Sequence, residues 1–236
     1  MNQYIPDPYE NSAISLLFKV KKTQLQMVRD RGFNIELEEP LFSYRVSDFL
    51  DQYTRIAEES GVPFKSALSG LYQDATGNNN IYVYYPETAK DAKQLGKGQI
   101  TDVIKLMSGY SGLTNIIIIS QLPLSGEARK AFESLPALHM EHFLYDDLTY
   151  NPTEHYLTPR HEVLSEEAAR EYLQRNKMKF TQLREFSIYD PIARYFGVRP
   201  GQIVRVHRIN LGADSLAGKS IAHRAAVDKP LENKKK

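Results

Sequence analysis

The chain has 236 residues, in which 30 lysines and arginines nearly balance 29 aspartates and glutamates, for a formal charge of +1. That balance argues against a free-standing nucleic-acid binder, which carries a strongly basic total, while 42% hydrophobic residues supply a sizeable core and exclude general disorder. Cysteine is absent, so disulfide scaffolds, thiolate metal sites and cysteine nucleophiles are excluded.

The first part of the chain predicts helices alternating with strands. Ile14, Leu17, Phe18, Leu25 and Val28 recur at helical spacing, with Gly32 as the stop. Ser47 is the expected cap of a second helix carrying Phe49, Leu50, Tyr53, Ile56 and Ala57, which Gly61 ends. Phe64 to Tyr72 and Ile81 to Tyr85 read as strands joined by the polar turn Asp74 to Asn80. A third helix is expected near Ile100 to Met107. The β-branched run Ile116 to Ile119 then predicts a strand buried on both faces. Ser125 can cap a helix from Gly126 to Leu135, before a strand at Leu138 to Leu144. This order predicts an α/β domain, a sheet covered by helices.

A charge shift marks a second domain. Residues 1–146 hold 14 basic and 18 acidic side chains, whereas residues 147–236 hold 16 and 11. Asn151-Pro152 favours a turn beside that split, and Asp146 to Thr153 reads as the junction. The predicted division is therefore 1–146, 147–227 and a mobile basic tail at 228–236. The second domain is expected to open on a strand at His155 to Thr158, followed by a helix capped by Ser165. Asp190-Pro191 is a helix start, acid as cap and proline at the first position, and Gly197 ends that short helix. Arg199-Pro200-Gly201 has the order of a type II turn. In the strand Gln202 to Arg208, Ile203, Arg205 and His207 alternate with Val204, Val206 and Arg208, and a last strand is expected at Ser220 to Val227. This is a small α+β unit.

The longest aliphatic run is far below the roughly 20 residues of a membrane span. Met1 to Glu10 lacks the basic and apolar regions of a secretory signal. Together these predict a soluble intracellular protein with no membrane partner.

Chemical motifs are weak. Ala213 to Ser220, with Gly218-Lys219-Ser220, matches a permissive phosphate-binding loop, but 16 residues after Ser220 leave no room for the helix and strands such a loop serves. A hairpin loop is the expected structure. His139 and His142 would point to opposite faces of a strand, and with His155 and His161 they make no convergent zinc set. Glu87 and Lys90 after a Tyr/Val-rich strand loosely suit a metal-dependent nuclease, the alternative function, yet no second carboxylate accompanies them. No catalytic constellation, cofactor site, metal site or small-molecule site is predicted. What stands out is arginine density: Arg184, Arg194, Arg199, Arg205 and Arg208 face only Glu185 and Asp190 over that span. Such density suits either a solvated basic face or a docking surface.

The segment from Asp190-Pro191 through Arg194-Tyr195-Phe196-Gly197 to Gly201-Gln202-Ile203-Val204 closely resembles the fifth-largest subunit shared by the eukaryotic nuclear RNA polymerases, a family whose archaeal counterpart has no N-terminal domain. Thr153-Glu154-His155, Leu157 with Pro159-Arg160-His161, Ser165-Glu166-Glu167 and Lys177 to Leu183 extend that resemblance over residues 150–209. Lys21-Lys22-Thr23, Met27 to Phe33, Ile81 to Pro86 and the Ile116 strand carry it into the first part, so the resemblance is to the two-domain form. It implies a non-catalytic assembly subunit of a DNA-directed RNA polymerase. The C-terminal assembly domain would anchor on the largest subunit. The N-terminal jaw domain, nuclease-like without its acids, would lie near downstream DNA. By the same resemblance, Asp190, Pro191, Arg194, Tyr195, Phe196, Gly197, Gly201 and Arg205 form the partner-docking segment. A family loop near DNA falls on Ser125 to Arg129, making Ser125, Arg129 and Lys130 the DNA-proximal candidates. The implied location is the nucleus, or a cytoplasmic viral factory or virion for the similar subunits that large DNA viruses encode.

Overall fold

The computed structural model describes residues 8–89, 91–107, 113–133, 139–209 and 218–230. They divide into two compact units, Met1–Tyr150 and Asn151–Lys236.

In the first unit, helix α1 (Pro8–Asp30) buries one face, including Leu17, Val20, Leu25 and Val28. Gly32, at φ 91°, stops it: the Gly32 N–H reaches the Arg29 carbonyl at 2.9 Å. Helix α2 (Val46–Ser60) starts one residue before the expected Ser47 cap. The capping group is the Asp48 carboxylate, which accepts the Arg45 N–H at 2.9 Å. Phe49 of α2 lies 5.2 Å from Phe18, ring centroid to centroid, and joins the two helices.

The strand expected from Phe64 to Tyr72 is two elements, a single helical turn, α3 (Phe64–Ala67), and strand β1 (Gly70–Gln73). Pro63 presets the turn, and the Glu87 carboxylate, distant in sequence, accepts the Lys65 N–H at 3.1 Å. β1 pairs antiparallel with β2 (Asn80–Tyr84) across a hairpin held by Asp74, whose carboxylate takes hydrogen bonds from Thr76 and Asn79. Helix α4 (Lys97–Met107), strand β3 (Leu113–Ser120), helix α5 (Gly126–Glu133) and strand β4 (His139–Leu144) complete the unit. The sheet order is β1-β2-β3-β4, with β2, β3 and β4 parallel. Ile116 and Ile118 pack with Ile100, Val103 and Ala128 on one face, while Ile117 and Ile119 are equally buried. β3 is thus enclosed on both sides, as its composition requires.

In the second unit the expected strand at His155 to Thr158 is a turn, closed by the Thr158 N–H on the His155 carbonyl at 2.8 Å. Strand β5 (Arg160–Val163) begins only after Pro159, which has no N–H to give a ladder. Helix α6 (Glu166–Arg175) is capped by Ser165, whose hydroxyl accepts the Ala168 N–H. Strand β6 (Arg184–Ser187), helix α7 (Pro191–Tyr195) and strands β7 (Ile203–Ile209) and β8 (Lys219–Val227) follow. The order is β5-β7-β8-β6, and β7 and β8 are antiparallel. Alternation separates two faces. Ile203 and Ala225 pack beneath α6 with Leu164 and Leu183. Val204, Val206 and Ala226 pack with Phe186 and Ala193 on the α7 side.

Candidate docking surface

The α7 segment is built as its sequence requires. Asp190 accepts the Ile192 N–H at 2.9 Å and Pro191 opens the helix. Gly197, at φ 62°, lets the chain leave the helix while the Val198 N–H returns to the Ala193 carbonyl at 2.9 Å. At the next turn Gly201 sits at φ 91° and the Gln202 N–H reaches the Arg199 carbonyl, the type II form. A Cβ at Gly201 would meet open space, so the glycine is needed for its backbone angle alone.

Within this segment the candidate residues differ in role. Tyr195 is 1% exposed, and its hydroxyl accepts a hydrogen bond from Asn151 Nδ2 at 3.1 Å. Asn151 in turn takes the Thr153 N–H and hydroxyl on its own side-chain oxygen. Tyr195 is therefore an interior post that fixes the start of this unit, and its ring offers a partner nothing. Phe196 is half-buried against the Val204–Val206–Ala226 cluster, edge-on to Tyr195 at 5.3 Å. Arg194 is half-buried, and Arg199 and Gly201 are exposed.

Arg205 does not join this group. The β7 alternation sends it to the opposite sheet face, where it pairs with Glu162 at 3.3 Å and donates from Nε to His223 Nε2 at 3.3 Å. His207 also reaches Glu162, at 3.2 Å. That hydrogen bond, with the Arg205 charge, holds the Glu162 carboxyl below the usual carboxylate range against the opposing effect of burial. On the same patch, His223 stacks on Tyr172 at 3.7 Å, and burial and then the Arg205 charge push it below the usual histidine value. The eight docking candidates thus occupy two sheet faces, with only the α7 part contiguous.

In the first unit, Ser125 caps α5 by accepting the Ala128 N–H at 3.2 Å, and Arg129 and Lys130 are exposed on that helix. Glu87, the nuclease candidate, spends its carboxylate on the α3 turn, and Lys90 lies outside the described residues. His139 pairs with Glu141, and His142 meets the Ser120 hydroxyl from the other face of β4. Among the described residues no three His, Asp or Glu side chains are grouped to hold a metal ion. Of the phosphate-loop match, Ala213 to Ala217 lies outside the described residues, and Lys219 and Ser220 begin a strand where that motif would need a helix. The tail beyond Pro230 also lies outside them.

The geometry also contains a buried cation whose role the sequence did not signal. Lys21 of α1 is fully buried, with Nζ 3.0 Å from Glu38, 2.9 Å from the Leu68 carbonyl and 3.0 Å from the Tyr72 hydroxyl. A lone lysine on an apolar helix face signals nothing until its acceptors, up to 51 positions away in sequence, are placed.

Comparison with known proteins covers both units. Residues 11–107 match the family described as RNA polymerase Rpb5, N-terminal domain, and residues 150–225 match RNA polymerase Rpb5, C-terminal domain. A Caenorhabditis elegans protein named DNA-directed RNA polymerases I, II, and III subunit RPABC1 is 34% identical in an alignment that covers 89% of this chain and 95% of that protein. Its Dictyostelium discoideum namesake is 30% identical over 91% of this chain and 98% of its own length. The Arabidopsis thaliana DNA-directed RNA polymerase V subunit 5A is 29% identical over 80% of each chain.

Proposed function

The chain belongs to the RNA polymerase Rpb5 family, whose members are non-catalytic subunits of DNA-directed RNA polymerase, and from that premise we propose that it is a bracket within such an assembly. Residues 151–236 dock on the largest subunit through the exposed side of α7 and the turn at Gly201. The first unit forms part of the jaw near incoming DNA, which Arg129 and Lys130 touch weakly. The working location is the nucleus, in keeping with the eukaryotic sources of the relatives.

The observation that carries this reading is the rigidity of the α7 segment. Asp190, the Asn151–Tyr195 hydrogen bond and two left-handed glycines hold it from four sides, so Arg194 and Arg199 are presented at little cost in ordering. Interfaces favour such fixed arginine and aromatic anchors. The reading requires no chemistry from this chain, and the nuclease alternative finds no support in Glu87.

Replacing Arg194→Glu together with Arg199→Glu keeps Tyr195 and its hydrogen bond from Asn151. The double variant is expected to remain folded by circular dichroism and to stop co-purifying with the largest polymerase subunit. Undiminished co-purification would remove the α7 surface from the interface.

A further inference from the structure

Strand register in the second unit puts three arginines on one sheet face. Arg184 of β6 lies directly opposite Arg224 of β8, and Arg208 of β7 shares that face by alternation. None of the three makes an ion pair or a side-chain hydrogen bond among the described residues. Like charges opposed across a sheet destabilise it. Burial, then the charges of Arg208 and Arg184, pulls Arg224 below the usual guanidinium value, and only Asp190 acts the other way. The Asp190 carboxylate is already engaged in capping α7.

Two grooves open beside Arg208 and Arg224. One, of about 810 Å³, runs between Tyr156, Leu157, Arg160, Arg208, Lys219 and Ile221, and no carboxylate lines it. The other, of about 280 Å³, lies among His161, Asp190, Ile192, Arg208 and Arg224. Both include Leu157, Thr158, Pro159 and Arg208, so they form one continuous depression. Its rim carries large apolar side chains facing water: Tyr156 is 79% exposed, Leu157 62% and Ile221 60%. Exposed aliphatic anchors beside arginines that make no ion pair among the described residues fit a protein segment better than a nucleic-acid strand, whose bases need flat stacking platforms along a cationic track.

We propose that this depression seats an extended acidic segment of another polymerase subunit, its carboxylates against Arg208 and Arg224 and an apolar side chain against Leu157. The inference rests on membership of a polymerase assembly and adds the chemistry of a partner to the docking unit. Arginine pairs bidentately with carboxylates, so the partner relieves a repulsion that the isolated sheet carries.

The test places a photoreactive benzoylphenylalanine at Leu157 in the full chain, expressed in cells and recovered with its complex, and maps the cross-linked peptides by mass spectrometry. The expected product joins Leu157 to a segment of another polymerase subunit that carries several Asp or Glu residues. Arg208→Glu with Arg224→Glu lowers its yield at least about tenfold, because reversed charges repel the segment. Cross-links to DNA, to this chain or to a neutral or basic segment would overturn the proposal, as would the absence of any cross-link. Recovery without polymerase subunits would overturn the assembly reading as well, whereas recovery with them and a misplaced cross-link defeats the groove alone. An independent readout is the melting of the purified chain. Arg224→Gln removes a repulsion and is expected to keep or raise the transition temperature, and a fall would identify Arg224 as a structural strut.

Discussion

Lys21→Met tests how the first unit is held together. Lys21 Nζ gives hydrogen bonds to Glu38, the Leu68 carbonyl and the Tyr72 hydroxyl. Glu38 also accepts from Tyr53 at 2.8 Å and from Tyr72. Methionine fills the volume but leaves Glu38 four-fifths buried without its cation. Removing one partner of a buried pair costs roughly 3–5 kcal/mol. The partial exposure of Glu38 places this case at the lower end, about 3 kcal/mol. A fall of roughly 6–12 °C in the melting of the full chain corresponds to that loss. The pH dependence should also change sign. Burial alone would raise the Glu38 pKa, but the Lys21 charge with the Tyr72 and Tyr53 hydroxyls holds it below the usual 4.5. The wild-type pair therefore stabilises the fold above that value, and the contribution is lost as pH falls through the depressed pKa. In Lys21→Met burial dominates and the pKa rises above its unfolded value. The variant then recovers stability toward acid and loses it as pH rises. Circular-dichroism melting at pH 4 to 8 reads both effects. A loss under about 1 kcal/mol with an unaltered pH profile would refute the pinning role.

Other expected outcomes follow from single contacts. Arg31→Ala removes a bidentate pair with Glu141, at 2.8 and 2.7 Å, and should cost about 3 kcal/mol in urea unfolding. Burial opposes ionisation of Glu141, yet Arg31 and His139 hold its pKa at about 2, so the wild-type contribution is present above 4.5 and fades between 4.5 and about 2. Tyr195→Phe should cost about 1 kcal/mol through the Asn151 hydrogen bond, and Tyr195→Ala about 3–5 kcal/mol through lost packing. An unchanged melting temperature for Tyr195→Ala would contradict its interior placement. Arg129→Ala with Lys130→Ala should lower the log–log salt slope of polymerase–DNA binding by up to about two, and an unchanged slope leaves this helix without phosphate contacts.

Much of this architecture was legible in the residues, and the exceptions have definite causes. Four adjacent β-branched isoleucines, a proline behind a capping aspartate, and glycines at the ends of α1 and α2 each impose local geometry, and the structure has all of them. The turn at Phe64 reads as strand in the sequence because its cap, Glu87, comes from 22 positions away. Ser47 looked like a cap, but the acid beside it reached back to the preceding N–H first. Pro159 hid the true start of β5. The α7 segment is recognisable as a unit, but a helix of five residues is too short for periodicity to separate the buried Tyr195 from its half-buried neighbours. Alternation along β7 already set Arg205 apart from Val204 and Val206; only the packing of α7 reveals which of those faces it covers. The facing arginines depend on register between β6 and β8, 40 residues apart at Arg184 and Arg224, and no local pattern encodes that.

Whether the molecule is a non-catalytic bracket in a polymerase is decided by native affinity isolation of the tagged chain with quantitative mass spectrometry. The largest polymerase subunit is expected in equal molar amount with the bait, at physiological salt and without added DNA. Recovery of the chain alone, or with partners that include no polymerase subunit, would contradict it.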